Sequence, residues 1–398
     1  MIYLVWGSDT HNGLKTDGID RNPEIFSVME DITRHAIKLS EKHKTYLIWG
    51  GDLFNKNNPS EAVIKEFIER LINPCKGRQN LKVYFMAGNH DTISNPENKS
   101  CLSFIGPLIH GYENVWLIED IKSIEVDKSD IGPVRFTFLP HITLANIHGK
   151  KFKNTQHYIN SACEHIQSKF AVNSQHYVFS HLNIHGAHPG SEENLLNKSE
   201  TYLPKIWTDR TLGVDLPQII NGHIHTHEIM DNIYIVGSPI YCGFGEKEDD
   251  KAFIEMQVPN KFGEEFKITR IPTNCVPFKQ LELDLTSWDG TEFLAHEEVS
   301  AFLSELKSDR KYVVKFDLTV NPQRLNVNWN LVRADIMEKF TNVFVKPISP
   351  KFVYDRVVRN KEQKLGLSPH QAAKVFLETH RPVRVKEKWA LAKQYLNQ

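Results

Sequence analysis

The chain has 398 residues, 40% of them hydrophobic and 24% charged, with a formal net charge of −1. That length exceeds what a single core usually supports, so two or more domains are expected, and the near-zero charge excludes a globally basic nucleic-acid surface, leaving only local patches. Cys75, Cys101, Cys163, Cys242 and Cys275 are scattered without C-x-x-C spacing, which suits a reducing compartment and argues against a disulfide framework or a thiolate zinc site; any metal ligands are expected to be His, Asn and carboxylate.

The chain opens on a short apolar run, Ile2 to Trp6, with no basic leader before Ser8 and Asp9, and this predicts a core strand. No apolar stretch reaches the roughly 18–20 residues of a membrane span, so a soluble, cytoplasmic protein without a membrane partner is expected. Strand-length apolar runs then alternate with amphipathic stretches: Ile2 to Gly7, Pro23 to Lys42, Tyr46 to Trp49, Pro59 to Ile72 and Leu81 to Ala87. The alternation predicts βαβ units around a sheet buried on both faces.

Shorter strand-like segments follow at Val115 to Ile118, Ile121 to Val126 and Val134 to Leu139, then a helix over Lys153 to Phe170. A second strand group, His176 to Phe179, Gln218 to Ile220, Tyr234 to Val236 and Ala252 to Val258, predicts a second sheet packed on the first. The polar stretch from Gly186 to Gly213 reads as an irregular excursion near a site.

Near Pro272 to Pro277 the texture changes, and a compact βαβαβ reading follows over Phe278–Leu285, His296–Lys307, Tyr312–Val320, Val327–Phe340 and Val343–Ile348. Val327, Leu331, Val332, Ile336 and Phe340 would give its second helix one apolar face. The last 48 residues carry eleven Lys or Arg against four Asp or Glu, a local basic patch. Ser368-Pro369-His370-Gln371 has the form of a capping box ahead of a helix bearing Val375 and Phe376. Pro382 breaks it, and Val385, Trp389, Ala392 and Leu396 share a face of the next. This helix pair either binds a partner or docks on its own domain.

Three successive predicted strands end in clusters of one chemical type: Asp9-Thr10-His11, Gly51-Asp52 and Gly88-Asn89-His90-Asp91. In a parallel arrangement all three ends share one edge of the sheet. Ser180-His181 and Asn221-Gly222-His223-Ile224-His225 end two later strands, and in an extended segment His223 and His225 point the same way. Asp9, His11, Asp52, Asn89, His181, His223 and His225 are too many ligands for one tetrahedral zinc and suit two cations sharing a bridge, for which Asp52 is the best candidate. Such a pair suits in-line phosphoryl displacement. His110, His141, His148, His157, His165 and His296 lack this context and read as structural.

The ordered set Asp9-x-His11, Gly51-Asp52, Gly88-Asn89-His90-Asp91, His181 and Gly222-His223-x-His225 resembles the calcineurin-like metallophosphoesterase superfamily. Gly51 to Ser60, His181 to Gly186 and Gly237-Ser238-Pro239 ahead of Glu246 to Asp250 are similar to DNA repair and recombination nuclease subunits of the SbcD type, bacterial or phage. The resemblance implies an α/β two-sheet sandwich flanked by helices over residues 1–271, a small α+β capping domain over 272–350, and a helical tail over 351–398.

Residue by residue, it implies that Asp9, His11, Asp52 and His225 bind one metal, and Asp52, Asn89, His181 and His223 the other, with two Mn2+ the usual activators and Mg2+ or other divalent cations as substitutes. His90 would be the proton donor to the leaving oxygen, and Asp91 would hold the turn or the ring. Asn55 and His185 would meet substrate; relatives often carry histidine where this chain has Asn55, which cannot act as an acid. The implied partners are double-stranded DNA, an SMC-like ATPase of the SbcC type on the apolar tail residues, and a second copy in a homodimer, in the host cytoplasm for a phage protein. The competing expectations are a phosphomonoesterase or cyclic-nucleotide phosphodiesterase on the same scaffold, or a scaffold without catalysis.

Overall fold

The computed structural model describes residues 1–354 except 96–98, 148, 150, 170–174, 189–200, 213–215, 248, 262–263, 289, 291 and 324–326, together with Gln371, Ala373, Lys374, Leu377 and Trp389. Two compact units are present. The first comprises Met1–Leu283, Thr291–Leu318 and Val327–Pro350, and the second Asp284–Gly290, Thr319–Asn326 and Lys351–Gln398.

The first unit is built on two six-stranded sheets. One runs Lys267–Pro272, Ala252–Val258, Ile2–Gly7, Lys44–Trp49, Leu81–Met86, Val115–Ile118, and the other runs Glu228–Met230, Ile233–Ile235, Gln218–Asn221, Gln175–Ser180, Gly132–Leu139, Lys122–Ser129. In the first sheet the four strands from Ile2–Gly7 to Val115–Ile118 are mutually parallel, so the chain leaves each of them at the same edge.

Side-chain alternation explains why this sheet is buried on both faces. Leu4, Trp6, Tyr46, Ile48, Tyr84 and Met86 point into the layer between the sheets, where they meet Phe136, Phe138 and Phe179. Their neighbours Val5, Leu47, Trp49, Val83 and Phe85 face the other way, into a core with Phe26, Met29 and Ile32 of the helix Asn22–Ser40. Period-2 burial on continuous apolar strands is what a sheet covered on both sides requires. Trp6 stacks on Phe179 with ring centroids 5.6 Å apart and so ties the two sheets.

The expected helix over Pro59 to Ile72 forms as Glu61–Phe67, capped by the Ser60 side chain, and widens into a π-helical turn over Ile68–Ile72. The strands Glu228–Met230 and Lys267–Pro272 escape sequence patterning because their burial is partial, so no clean alternation marks them. A third sheet orders Phe278–Leu285, Tyr312–Val320 and Val343–Val345, and in the second unit Thr319 and Val320 pair with Lys351 and Phe352. The helix Trp329–Lys339 forms where expected, but its apolar face does not: Ile336 is its one buried residue, and Leu331 is 67% exposed. Of the tail positions, Trp389 sits in helical backbone. Ser368, Val375, Phe376, Val385, Ala392 and Leu396 lie outside the described residues, as does much of the excursion from Gly186 to Gly213.

Candidate metal centre

The loops leaving the first two parallel strands stay paired beyond the sheet. Asp9 N–H donates to Gly51 O at 2.9 Å, His11 N–H to Asp52 O at 3.0 Å, and Asn12 N–H to Leu53 O at 2.8 Å. This ladder sets Asp9 and His11 directly beside Asp52. A further bond from His141 N–H to Ala87 O, 3.0 Å, joins the edges of the two sheets. Asp9, His11, Asp52 and His223 all have positive φ, from 49° to 70°, a region costing non-glycine residues roughly 1–2 kcal/mol each. Strained backbone at four candidate ligands marks a site whose geometry the surrounding ladder imposes.

Close approach demands glycine at Gly88 and Gly51, beside the candidate ligands. A Cβ on Gly88 would lie 2.1 Å from Asp52 Oδ1, and one on Gly51, which has φ of +103°, would lie 2.4 Å from His181 Nδ1.

The seven expected ligand residues converge in two overlapping groups. In one, His11 Nε2 and His225 Nε2 are 3.1 Å apart, and Asp9 Oδ1 is 3.8 Å from His225 Nε2. In the other, Asn89 Oδ1 meets His181 Nε2 at 3.0 Å and His223 Nδ1 at 2.8 Å, while Asp52 Oδ2 is 3.3 Å from His181 Nε2. Asp52 clusters with His11 and His90 on one side and with His181 and His223 on the other, which is the position of a bridging carboxylate.

His223 and His225 do not point the same way. The positive φ at His223 and the bond from Ile224 N–H to Gly222 O break the extended geometry on which that expectation rested, and each ring goes to a different group. This departure is what allows one short motif to serve two positions.

Asp9, Asp52, His11, His181, His223 and His225 are all at least 97% buried. Burial raises the Asp9 carboxyl and pushes the His223 ring down to about 3 and the His11 ring well below its usual value. Burial also opposes ionisation of Asp52, but the His181, His90 and His11 rings outweigh it and hold that carboxyl low. In the same way burial lowers His181, yet Asp52 and Asp9 overcome it and lift the ring to about 9. Two buried carboxylates and four imidazoles with nitrogens converging on shared points form a donor set that fits a pair of divalent cations, since buried charge is tolerated when paired or metal-bound.

Around this set lie residues to which the sequence reading gave no role of their own. Asn183 Oδ1 meets His223 Nε2 at 3.0 Å, leaving Nδ1 as that ring's ligand atom. Glu246 Oε1 meets His225 Nδ1 at 3.0 Å and is itself held by Lys251 Nζ at 2.7 Å. A carboxylate on the far nitrogen fixes a ligand histidine's tautomer and orientation. His141 lies near the centre: its Nδ1 meets Thr92 Oγ1 at 3.2 Å, and burial and the His181 ring lower it to about 4. Despite the expectation that cysteine plays no part, Cys242 falls beside His11 and His225.

Asp91 accepts backbone N–H bonds from Gly88 at 2.9 Å, Phe54 at 3.0 Å and Leu53 at 3.2 Å. It therefore braces two loops and holds the turn, while the His90 ring is held by the Asn55 carbonyl. Asn55 thus acts on the site through its backbone. His185 is exposed and stacks on Tyr202, ring centroids 4.0 Å apart.

Comparison with known protein families matches residues 6–227 to the calcineurin-like phosphoesterases. The chain belongs to that family, and its centre is that of a metal-dependent phosphoesterase. Among solved structures, it is similar to the Plasmodium protein GAP50, the anchor in the inner membrane complex, at 12% identity and a TM-score of 0.37, covering 68% of this chain and 89% of that one. A comparison with curated proteins finds no match. No helix among the described residues is long and apolar enough to cross a membrane.

Proposed function

We propose that this phosphoesterase is a DNA nuclease, the two-metal subunit of a double-strand-break repair or recombination complex. The observation that carries the reading is the convergence of Asp9, His11, Asp52, Asn89, His181, His223 and His225 with His90 beside them, in a chain whose motifs resemble the SbcD type. Divalent cations held by these residues supply charge neutralisation of the phosphate and acidify water, with manganese the expected activator.

The chain's own residues do the rest. His90 sits with its N–H on Asp52 Oδ1 at 2.8 Å and its Nδ1 on Asn55 O at 2.9 Å, so Nε2 is the atom that delivers a proton to the leaving oxygen. Asp91 keeps the two loops in register under it. The apolar face of the tail is where an SMC-like ATPase of the SbcC type would bind, and a second copy would complete a homodimer.

Purified protein with Mn2+ or Mg2+ is offered linear duplex DNA and, separately, bis(p-nitrophenyl) phosphate. Degradation of the duplex supports the nuclease reading. Turnover of the small ester alone replaces it with a small-molecule phosphodiesterase. Co-elution with the ATPase that survives truncation before Ser368 removes the tail from the partner surface.

A further inference from the structure

Cys242 lies on the loop that passes the metal centre after the second sheet. The loop is fixed on both sides by groups that also hold His225. Ser238 N–H donates to His225 O at 3.0 Å, and Cys242 N–H donates to Glu246 Oε2 at 3.2 Å, while Glu246 Oε1 meets His225 Nδ1. The thiol is thereby set against the centre: Sγ is 4.0 Å from Asp9 O, and it is a hydrogen-bonding neighbour of the His225 ring.

His11, His225 and Cys242 each present one ligand atom, and the three atoms lie within 4.8 Å of one another. Zinc bonds of about 2.0–2.3 Å to nitrogen and sulfur in a tetrahedron imply donor separations of roughly 3.3–3.8 Å. The two ring nitrogens at 3.1 Å are already near that spacing. Small side-chain adjustment closes the third corner. Sulfur is a soft donor, and sites mixing thiolate with imidazole select zinc or cobalt, whereas manganese and magnesium favour oxygen.

We propose that Cys242 is a further metal ligand, whose sulfur beside His11 and His225 makes one cation position of the centre prefer zinc or cobalt over manganese or magnesium. This rests on the metal-centre reading above. As the metal–sulfur bond forms, the thiol proton passes to solvent. The consequence is a mixed centre: a position with a sulfur donor at His11 and His225, and an all-nitrogen-and-oxygen position at Asn89, His181 and His223.

The test is optical. Full-length metal-free protein is loaded with Co2+, and wild type is compared with Cys242→Ser and with Cys101→Ser, Cys101 being the other cysteine that is not fully buried. A near-ultraviolet sulfur-to-cobalt charge-transfer band in wild type and Cys101→Ser, lost in Cys242→Ser, supports the proposal. Zinc binding by Cys242→Ser should then weaken by more than the roughly 10- to 100-fold lost with a mere supporting contact at a metal site, with manganese binding little changed. Visible cobalt bands without the charge-transfer band in wild type overturn the Cys242 assignment alone, whereas no cobalt absorption at all overturns the metal centre itself. Should Cys242→Ser fail to fold, iodoacetamide labelling of wild type decides: zinc must protect Cys242 from alkylation, and equal labelling with and without zinc overturns the proposal.

Discussion

The Nδ1 of His90 lies 2.9 Å from the carbonyl oxygen of Asn55, and this single bond decides which end of the ring can meet a phosphate. A carbonyl only accepts, so Nδ1 carries the hydrogen and Nε2 is the working nitrogen. Replacing His90 with glutamine should lower turnover by about 10²–10⁴-fold, the usual contribution of a positioned acid, while leaving metal content unchanged. Because Asn55 holds the ring by its backbone, Asn55→Ala should keep most of that activity. Rates with metal content measured on the same samples check both; a collapse in Asn55→Ala equal to that of His90→Gln would show that the Asn55 side chain does the work.

The buried pair of Glu246 and Lys251 acts on the centre through His225. Glu246→Gln removes the charge opposite His225 Nδ1 and takes from the buried Lys251 the nearer of its two carboxylates, at 2.7 Å, leaving Asp249 at 3.2 Å. Metal affinity should fall by about 10–100-fold, and the fold should lose less than the roughly 3–5 kcal/mol of a buried charge left unpaired, because Asp249 still faces Lys251. Lys251→Met alongside Glu246→Gln removes both charges and should recover part of that stability but none of the metal affinity. Calorimetric metal titration and urea unfolding separate the two effects. Recovery of affinity in the double variant would refute the positioning role.

Gly88 is a steric prediction. Its missing Cβ leaves the space that Asp52 Oδ1 occupies, at 2.1 Å from where that carbon would stand. Gly88→Ala must push the Asp52 carboxylate or the Asn89 turn aside, so metal occupancy and activity should both fall, with manganese affinity the most sensitive readout. Normal manganese titration in a folded Gly88→Ala would show that Asp52 can shift without consequence.

Much of this was legible in the residues because its causes are local. Continuous apolar strands such as Leu81–Met86 announce burial on both faces, and parallel strands must release their polar ends at one edge, so Asp9, Asp52 and Asn89 could be grouped before any coordinates. What escaped depends on long-range geometry. Glu246 reaches His225 across 21 residues of sequence, and one glutamate at the head of an acidic stretch has no periodic signature. The positive φ at His223 could not be seen either, because the assumption of an extended segment is correct for most residues following a strand. Leu331 misled for the opposite reason: a helical stripe is expected to be covered, and this one is exposed among the described residues.

A last prediction concerns stability at acid pH and a histidine outside the centre. His176 is the second residue of the strand Gln175–Ser180, with Nε2 2.8 Å from Thr137 Oγ1 and its ring edge-on to Trp207. Burial, helped by the charge of Arg135, lowers its pKa from the usual 6.5 to about 3. Between those values the unfolded chain takes a proton that the folded one refuses, so stability falls as pH drops. One such group costs at most about 1.4 kcal/mol per pH unit. The loss should begin near the unfolded value and end near the folded one. Other buried rings, His141 and His223 among them, add their own slopes, so the comparison must be made against His176→Gln. Urea unfolding between about pH 7 and pH 5 should show a shallower decline in the variant, by roughly the slope of one proton. Parallel declines in the two proteins would mean that the folded state accommodates a charged His176.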